Sequence, residues 1–369
     1  MSLSFTDDGS QGSISIDGVT SFLIGNPYDF IKVDSRSVAF TKTGSGTASI
    51  KAGTVCSVAS NQKRFTADTA VVMPVLTAGT DYAIYFCTDG TVRADSSFTN
   101  PTGYTTYNSR MIGGFHYGLV APGTTVAGGS FATTGSGMIW TQGDVDNIAG
   151  INKFSLWDLK FRSTSTDPQF RGQKGFAYSA LGNEWVAIYF ASTDTDTNGL
   201  SKYNTNIASG TVVPKVPAAV GGNGTTTYAS PTWWDFSEIA KAYGCRLISD
   251  ANFNVAAFGV TESQSIMGAV STYPTTLRNP GFTSRIGLEE ATGHHYTWGS
   301  DSAGATSTAW IANGARGQAH ADTIRRGTFG GGRGETVTAG SRSSNWTYVP
   351  GTVSWAVGLR AACDHMQPV

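Results

Sequence analysis

Short apolar runs cut by Gly, Asn and Asp are the feature that most limits what this chain can fold into. Runs such as Ala48-Ser49-Ile50-Lys51 and Ala70-Val71-Val72-Met73 have the length and alternation of half-buried strands. The clearest hairpin is Tyr82-Ala83-Ile84-Tyr85-Phe86, then Thr88-Asp89-Gly90-Thr91, then Val92. Asp-Gly tolerates the positive φ that a two-residue type I′ turn requires. Helix spacing is confined to one stretch. Trp233, Phe236, Ile239, Ala240 and Tyr243 recur at helical intervals after Ser230-Pro231, read as an N-cap followed by Pro at the first helical position, and Gly244 stands where a C′ glycine belongs. Ser249 caps a shorter second helix carrying Phe253, Ala256 and Ala257 and closed by Gly259. No further helix signal follows. The expected fold class is α+β, mostly β.

The chain has 369 residues, more than one core usually serves. The texture divides it in three. Residues 1–34 read as a small N-terminal β element that needs a partner for its core, a candidate for trimerisation or attachment. Residues 35–148 read as an all-β sandwich, with a Gly/Ser/Thr-rich loop or linker at 121–138. Residues 149–369 carry the dense aromatic segment Phe154, Leu156, Trp157, Leu159 and Phe161, the two helices and turn-rich sequence.

Charged residues make up only 14 % of the chain and the net charge is −1, with no basic run. The electrostatic footprint of a nucleic-acid binder is missing. The polar, acidic start lacks a signal pattern, and no apolar stretch approaches the roughly 20 residues of a membrane span. The expectation is synthesis in a cytoplasm and exit by particle assembly and lysis. Cys56, Cys87, Cys245 and Cys363 stand far apart. They form no CxxC pair, so all four are expected to be small buried hydrophobes, without a zinc site or a disulfide framework.

No reaction emerges. His116, His294, His295, His320 and His365 are read as structural or surface residues. The adjacent pair His294-His295 would point to opposite faces of a strand and could not share a metal. Glu262 and Glu289-Glu290 lack a nucleophile-plus-base motif and read as solvated or loop-ordering carboxylates. Gly330-Gly331-Gly332-Arg333-Gly334 lacks the Lys-Ser/Thr of a phosphate loop and reads as a tight turn. Neither cofactor nor metal is implied.

Several motifs in the C-terminal half carry a resemblance. Gly244-Cys245-Arg246-Leu247, Thr297-Trp298-Gly299 and Gly340-Ser341-Arg342 resemble the formylglycine-generating-enzyme branch of the C-type-lectin fold. Ser155-Leu156-Trp157-Asp158-Leu159-Lys160-Phe161-Arg162 opens that domain, and Arg360 with Cys363-Asp364-His365 closes it. Upstream, Ala48-Ser49-Ile50-Lys51-Ala52-Gly53-Thr54, Leu76-Thr77-Ala78-Gly79-Thr80-Asp81-Tyr82 and Gly113-Gly114-Phe115-His116-Tyr117 resemble the sandwich domain of the phage major tropism determinant family. The resemblance runs from about residue 35 to the end. The family's N-terminal β-prism is longer than residues 1–34, and Cys245 falls where a Lys is expected.

The resemblance implies a homotrimer at the tip of a phage tail fibre. Its lectin-like domain would bind a host bacterial surface receptor, protein or glycan, with the fibre protein as a further partner and without nucleic acid or membrane insertion. It also implies diversification by a retroelement that mutates adenines in AAC-type codons. The variable positions would be Gly332, Gly334, Thr336 and Thr338, then Asn345, Thr347 and Tyr348, then Thr352, Ser354, Ala356 and Val357. Two features of the sequence accord with that placement. The first four positions alternate, as do Thr352, Ser354 and Ala356, so in extended chain each set shares a face. Changing the first two bases of AAC cannot give Trp, Met, Lys, Gln or Glu, and none of these occurs at the named positions. Interleaved Glu335, Trp346 and Trp355 read as scaffold, and Trp298, Trp346 and Trp355 as buried support. Tyr348 is the sole aromatic of the set, so a single site should be weak and rely on avidity.

Three rival readings stand beside this. An enzyme of the formylglycine-generating type needs a reactive cysteine pair, and neither Cys245 nor Cys363 sits in that context. A fixed calcium-dependent lectin commonly carries Glu-Pro-Asn or Gln-Pro-Asp, and neither occurs. A fixed adhesin or structural virion component would leave the named positions unprivileged.

Overall fold

The computed structural model describes residues 3–7, 12–16, 19–23, 30–59, 61–131, 139–165, 173–266, 275–304, 311–312, 318–319 and 324–366. His320 and residues 132–138 of the expected linker lie outside these. Among the described residues, no helix is long and apolar enough to cross a membrane.

The chain opens with an antiparallel meander, β1 (Leu3–Asp7), β2 (Gly12–Ile16) and β3 (Val19–Leu23). Strand β4 (Phe30–Ile31) falls within the expected N-terminal element but pairs onward with β7 (Val55–Val58), which pairs with β8 (Asn61–Arg64). A second three-stranded sheet joins β5 (Phe40–Gly44), β6 (Thr47–Ile50) and β9 (Thr69–Ala70). The largest sheet of this region runs in the order β11 (Val92–Asp95), β10 (Thr80–Cys87), β12 (Ser109–Tyr117), β13 (Trp157–Asp158).

Strand β10 reads as a continuous apolar run because both its faces are covered. Tyr82, Ile84 and Phe86 enter one core with Phe40, Ile50, Phe65 and Phe115. Ala83, Tyr85 and Cys87 enter another with Trp157, Trp185, Trp233 and Leu359. One strand thus belongs to the sandwich and to the domain that follows. Its hairpin forms where expected, with a different turn. Thr91 O accepts from Cys87 N, Cys87 O accepts from Gly90 N, and only Gly90 takes positive φ, at +79°. That is a three-residue loop ending in a left-handed glycine, not a two-residue type I′ turn.

Pairing crosses the expected boundary at 148/149. Strand β13 lies against β12 at Gly113 and Gly114. A Cβ on Gly113 would stand 2.3 Å from Trp157 O, and one on Gly114 2.7 Å from Trp157 Nε1. Two glycines are therefore what lets the opening aromatic segment of the last domain dock. Asp158, fully buried, accepts from Lys32 Nζ at 3.0 Å and from the backbone of Ala39, Lys160 and Phe161. His116 spans the same junction, with Nδ1 2.9 Å from Asp81 Oδ1 and Nε2 3.1 Å from the Tyr189 hydroxyl.

Helix α1 (Gln142–Ile148) was not expected. It is one short helix closed by a Thr141/Asp144 capping box and buries Val145 and Ile148. After the short α2 (Thr195–Asn198), α3 spans Trp233–Ala242. Its cap is Thr232, two residues later than expected, because Asp235 accepts both the Thr232 N–H and hydroxyl at 2.7 Å. Gly244 does take positive φ beyond its end. Ser249 caps α4 (Asp250–Ala256) as expected.

Two four-stranded sheets complete the last domain. One orders β14 (Phe176–Ser179), β15 (Glu184–Ala187), β23 (Ala361–Asp364) and β16 (Arg246–Leu247). The other orders β21 (Ser344–Asn345), β20 (Ile324–Phe329), β17 (Tyr296–Gly304) and β22 (Val357–Gly358), with β17 and β22 parallel. Strands β18 (Ile311–Ala312) and β19 (Gln318–Ala319) pair separately.

The cysteines correct the sequence reading in part. Cys245 and Cys363 form a disulfide across 118 residues, between the end of α3 and β23. The two lie next to each other because β16 and β23 pair, a contact that no spacing rule reveals. Cys56 and Cys87 are free and buried, as expected, and burial pushes their thiols up to about 12 and about 11.

Candidate receptor-binding face

Residues 330–357 connect β20 to β22 and carry all the named positions. Their backbone is pinned at short intervals, once within the segment and otherwise to other elements. Gly330 N donates to Ser343 O at 2.9 Å, and Ser341 N to the Glu262 carboxylate at 2.8 Å. Arg326 N donates to Tyr348 O at 2.9 Å, Trp233 N to Pro350 O at 3.1 Å, Gly210 N to Ser354 O at 2.9 Å and Tyr296 N to Ala356 O at 2.8 Å. Of the two roles expected for Glu262, solvated or loop-ordering, it takes the second. These bonds involve main chain at the loop end, so they are indifferent to the loop's side chains.

Gly334, Thr336, Thr338 and Thr347 are exposed, and Asn345, Tyr348, Thr352 and Ser354 are partly so. Gly332, Ala356 and Val357 are buried in the chain. The expected single extended face for 332–338 does not form: Thr336–Thr338 is a 3-10 turn, and Gly332 bridges to His294. Local turns set the side chains instead. Asn345 Oδ1 accepts from Thr347 N at 2.9 Å and from its hydroxyl at 2.7 Å.

Beneath the face lies a fixed apolar support, although not the expected three tryptophans. Trp298 is 1 % exposed and meets Tyr348 edge-on at 5.9 Å. Trp346 is partly buried, edge-on to the fully buried Phe329, with its indole N–H on Ser344 Oγ at 3.1 Å. Trp355 is 48 % exposed and is not buried support. Which residues a codon can encode does not decide which side chains lie inside.

A buried polar cluster anchors the same region. His294 and His295 do not point to opposite faces, because the segment at this point is not a regular strand. Their rings lie 4.6 Å apart, with the two Nδ1 atoms at 2.6 Å. Glu290 Oε1 is 3.4 Å from His294 Nε2 and accepts from Asn279 Nδ2 at 2.6 Å. Burial pushes Glu289 up to about 7 and Glu290 up to about 8. It pulls His295 down to about 3 and His294 well below the usual imidazole range. Desolvation is the largest cause of each shift, so both partners favour the neutral form.

The signs of these shifts fix the pH profile. The folded chain keeps carboxyl protons that the unfolded chain releases above about 4.5, so stability falls as pH rises through the window up to about 8. The unfolded chain takes histidine protons below about 6.5 that the folded chain refuses, so stability also falls on the acid side. Thermal melts from pH 4 to 9 should therefore peak on the acid side of neutrality. Glu290→Gln should flatten the loss between pH 6 and 8; an unchanged slope would contradict this assignment.

A disulfide-closed body with a packed aromatic core and a polar face built from backbone-pinned loops defines a C-type-lectin-like domain. The model of the Mtd second domain matches residues 38–158. The tail fiber receptor-binding protein of Bordetella phage BPP-1 is 42 % identical over 347 residues, spanning 91 % of this chain and 84 % of that protein. Solved structures of the Major Tropism Determinant U1 and P3c variants match with TM-scores of 0.80 and 0.79, at 37 % and 38 % identity, covering 99 % of this chain and 94 % of theirs. The chain belongs to the major tropism determinant family of phage tail-fibre proteins.

Proposed function

We propose that this protein is the receptor-binding component at the tip of a phage tail fibre, that it resides in the virion, and that it is not an enzyme. It recognises a host bacterial surface receptor through the face formed by Gly334, Thr336, Thr338, Asn345, Thr347, Tyr348, Thr352 and Ser354. Gly332, Ala356 and Val357 belong to the same diversified set and act from below, by setting how the loop sits. The observation that carries this reading is the separation of roles: pinned backbone and buried Trp298 and Phe329 underneath, mostly short polar side chains on top. Such a surface changes residue by residue without cost to the fold.

The chain acts as a homotrimer joined to the fibre through its N-terminal meander, and avidity raises the strength of a modest single site. A retroelement diversifies the named codons. Sequencing the gene's 3′ end across a propagated population tests this. Substitutions confined to those positions between 332 and 357 are expected, and an invariant segment would leave a fixed adhesin.

The division of labour has its own test. Trp298→Ala should cost about 3–5 kcal/mol, as for a buried large aromatic. Thr347→Ala should stay within about 0.5 kcal/mol. Equal shifts in thermal melts would contradict it.

A further inference from the structure

Beside the variable loop stands a ledge of tryptophan and arginine. Helix α3 buries Trp233, Phe236, Ile239 and Ala240, and Trp234 falls off that stripe, 58 % exposed. It is nonetheless held in place. Trp233 meets it at 4.7 Å, nearly perpendicular, and the Arg326 guanidinium stacks 3.7 Å over Trp233 and 5.5 Å from the Trp234 centroid. Arg326 donates to Ser302 Oγ, its Nε has no partner among the described residues, and its neighbour Arg325 reaches Thr347 O. Among the described residues no carboxylate pairs with either arginine. Burial also disfavours the charge on Arg326.

On the helix side, Trp234 walls a groove of about 490 Å³ shared with Val220, Ser237, Glu238 and Lys241. Glu238 accepts from the Tyr228 hydroxyl at 3.0 Å, which fixes its carboxylate. The surroundings of Trp234 are therefore graded. Uncompensated guanidinium lies at one edge, a flat indole in the middle, and a carboxylate with an ammonium at the other. An acidic peptide would meet Glu238 with like charge. A sugar carrying one acidic group suits the sequence of chemistries. Its ring covers the indole, its anion pairs with guanidinium, and its hydroxyls bond to Glu238 and Lys241.

We propose that Trp234 and Arg326, with Glu238 and Lys241, form a subsite for an acidic saccharide of the host surface, adjacent to the variable face. The subsite rests on the receptor-binding reading and supplies a contact that diversification leaves intact. None of its four residues lies among the variable positions.

The test uses the full-length protein and a trisaccharide with a single galacturonic acid residue, with its methyl ester as the neutral control. Binding is followed by saturation-transfer NMR and tryptophan fluorescence. The acid should bind at least tenfold more tightly than the ester. Trp234→Ala and Arg326→Gln should each weaken it at least tenfold, and Trp234→Phe should retain most of it. Equal binding of acid and ester, no binding by the unmodified protein, or full binding by Trp234→Ala would overturn the proposal. So would a changed oligomeric state in Trp234→Ala by light scattering, which would make the ledge a contact between copies. Whole-cell binding of Tyr348→Ala separates the two readings. Its loss, with trisaccharide binding unaltered by Trp234→Ala, would sink the subsite and keep the variable face.

Discussion

Arg360→Ala is expected to destabilise the protein by about 3–5 kcal/mol, the scale for stranding the partners of a buried charge. Arg360 is wholly buried, and burial pulls its guanidinium down to about 10. One arm donates to Ala187 O and Ile188 O at 2.8 and 2.6 Å, the other to Glu289 O and Glu290 O at 2.7 and 3.2 Å. The plane rests on Phe190, 4.4 Å from the ring centroid. Four carbonyls from two segments distant in sequence thus converge on one side chain. Arg360→Lys should recover little, because an ammonium has three donors and no planar fork. Urea unfolding of the two variants decides the matter. A loss below about 1 kcal/mol for Arg360→Ala would mean that water satisfies the carbonyls instead.

Reduction of the Cys245–Cys363 bridge should produce the other large effect. The bridge closes 118 residues of chain, and in the chain-entropy picture a loop of that length is worth about 5 kcal/mol. The melting temperature should fall markedly with a phosphine reductant and in Cys245→Ala/Cys363→Ala. Thiol counting gives an independent check. The native protein should react slowly, since Cys56 and Cys87 are buried with raised pKa values. The denatured, unreduced chain should show two thiols, and the reduced chain four. Four thiols before reduction would remove the bridge from the account.

Local signals carried the elements that the sequence made legible. The β10–β11 hairpin, α3 and α4 are each written in a few adjacent residues. Helix α1 was written as well, in Thr141 and Asp144, but its single short apolar stripe is easily lost beside a glycine-rich loop. What depends on distant pairing stayed out of reach. The bridge needs β16 against β23, and the meeting of the His294 and His295 rings needs an irregular backbone that no period announces. For the candidate site, the resemblance located the segment, and the codon pattern accorded with it. Neither distinguished Val357, fully buried, from Thr347, exposed, because inside and outside of a loop are decided by what lies under it. Trp234 did leave a signal: at helical spacing it falls off the apolar stripe, where a large indole needs a reason.

Every named position lies between Cys245 and Cys363, so the bridge encloses the entire face. A protease that clips an exposed turn there, at Gly334 or Gly351 for instance, produces two fragments that stay joined. The cut ends also stay seated, since Tyr348, Ser354 and Ala356 hang from main-chain bonds to Arg326, Gly210 and Tyr296. The proposed receptor face can thus be nicked without being shed, an advantage for a virion protein, which has no means of replacement outside the cell.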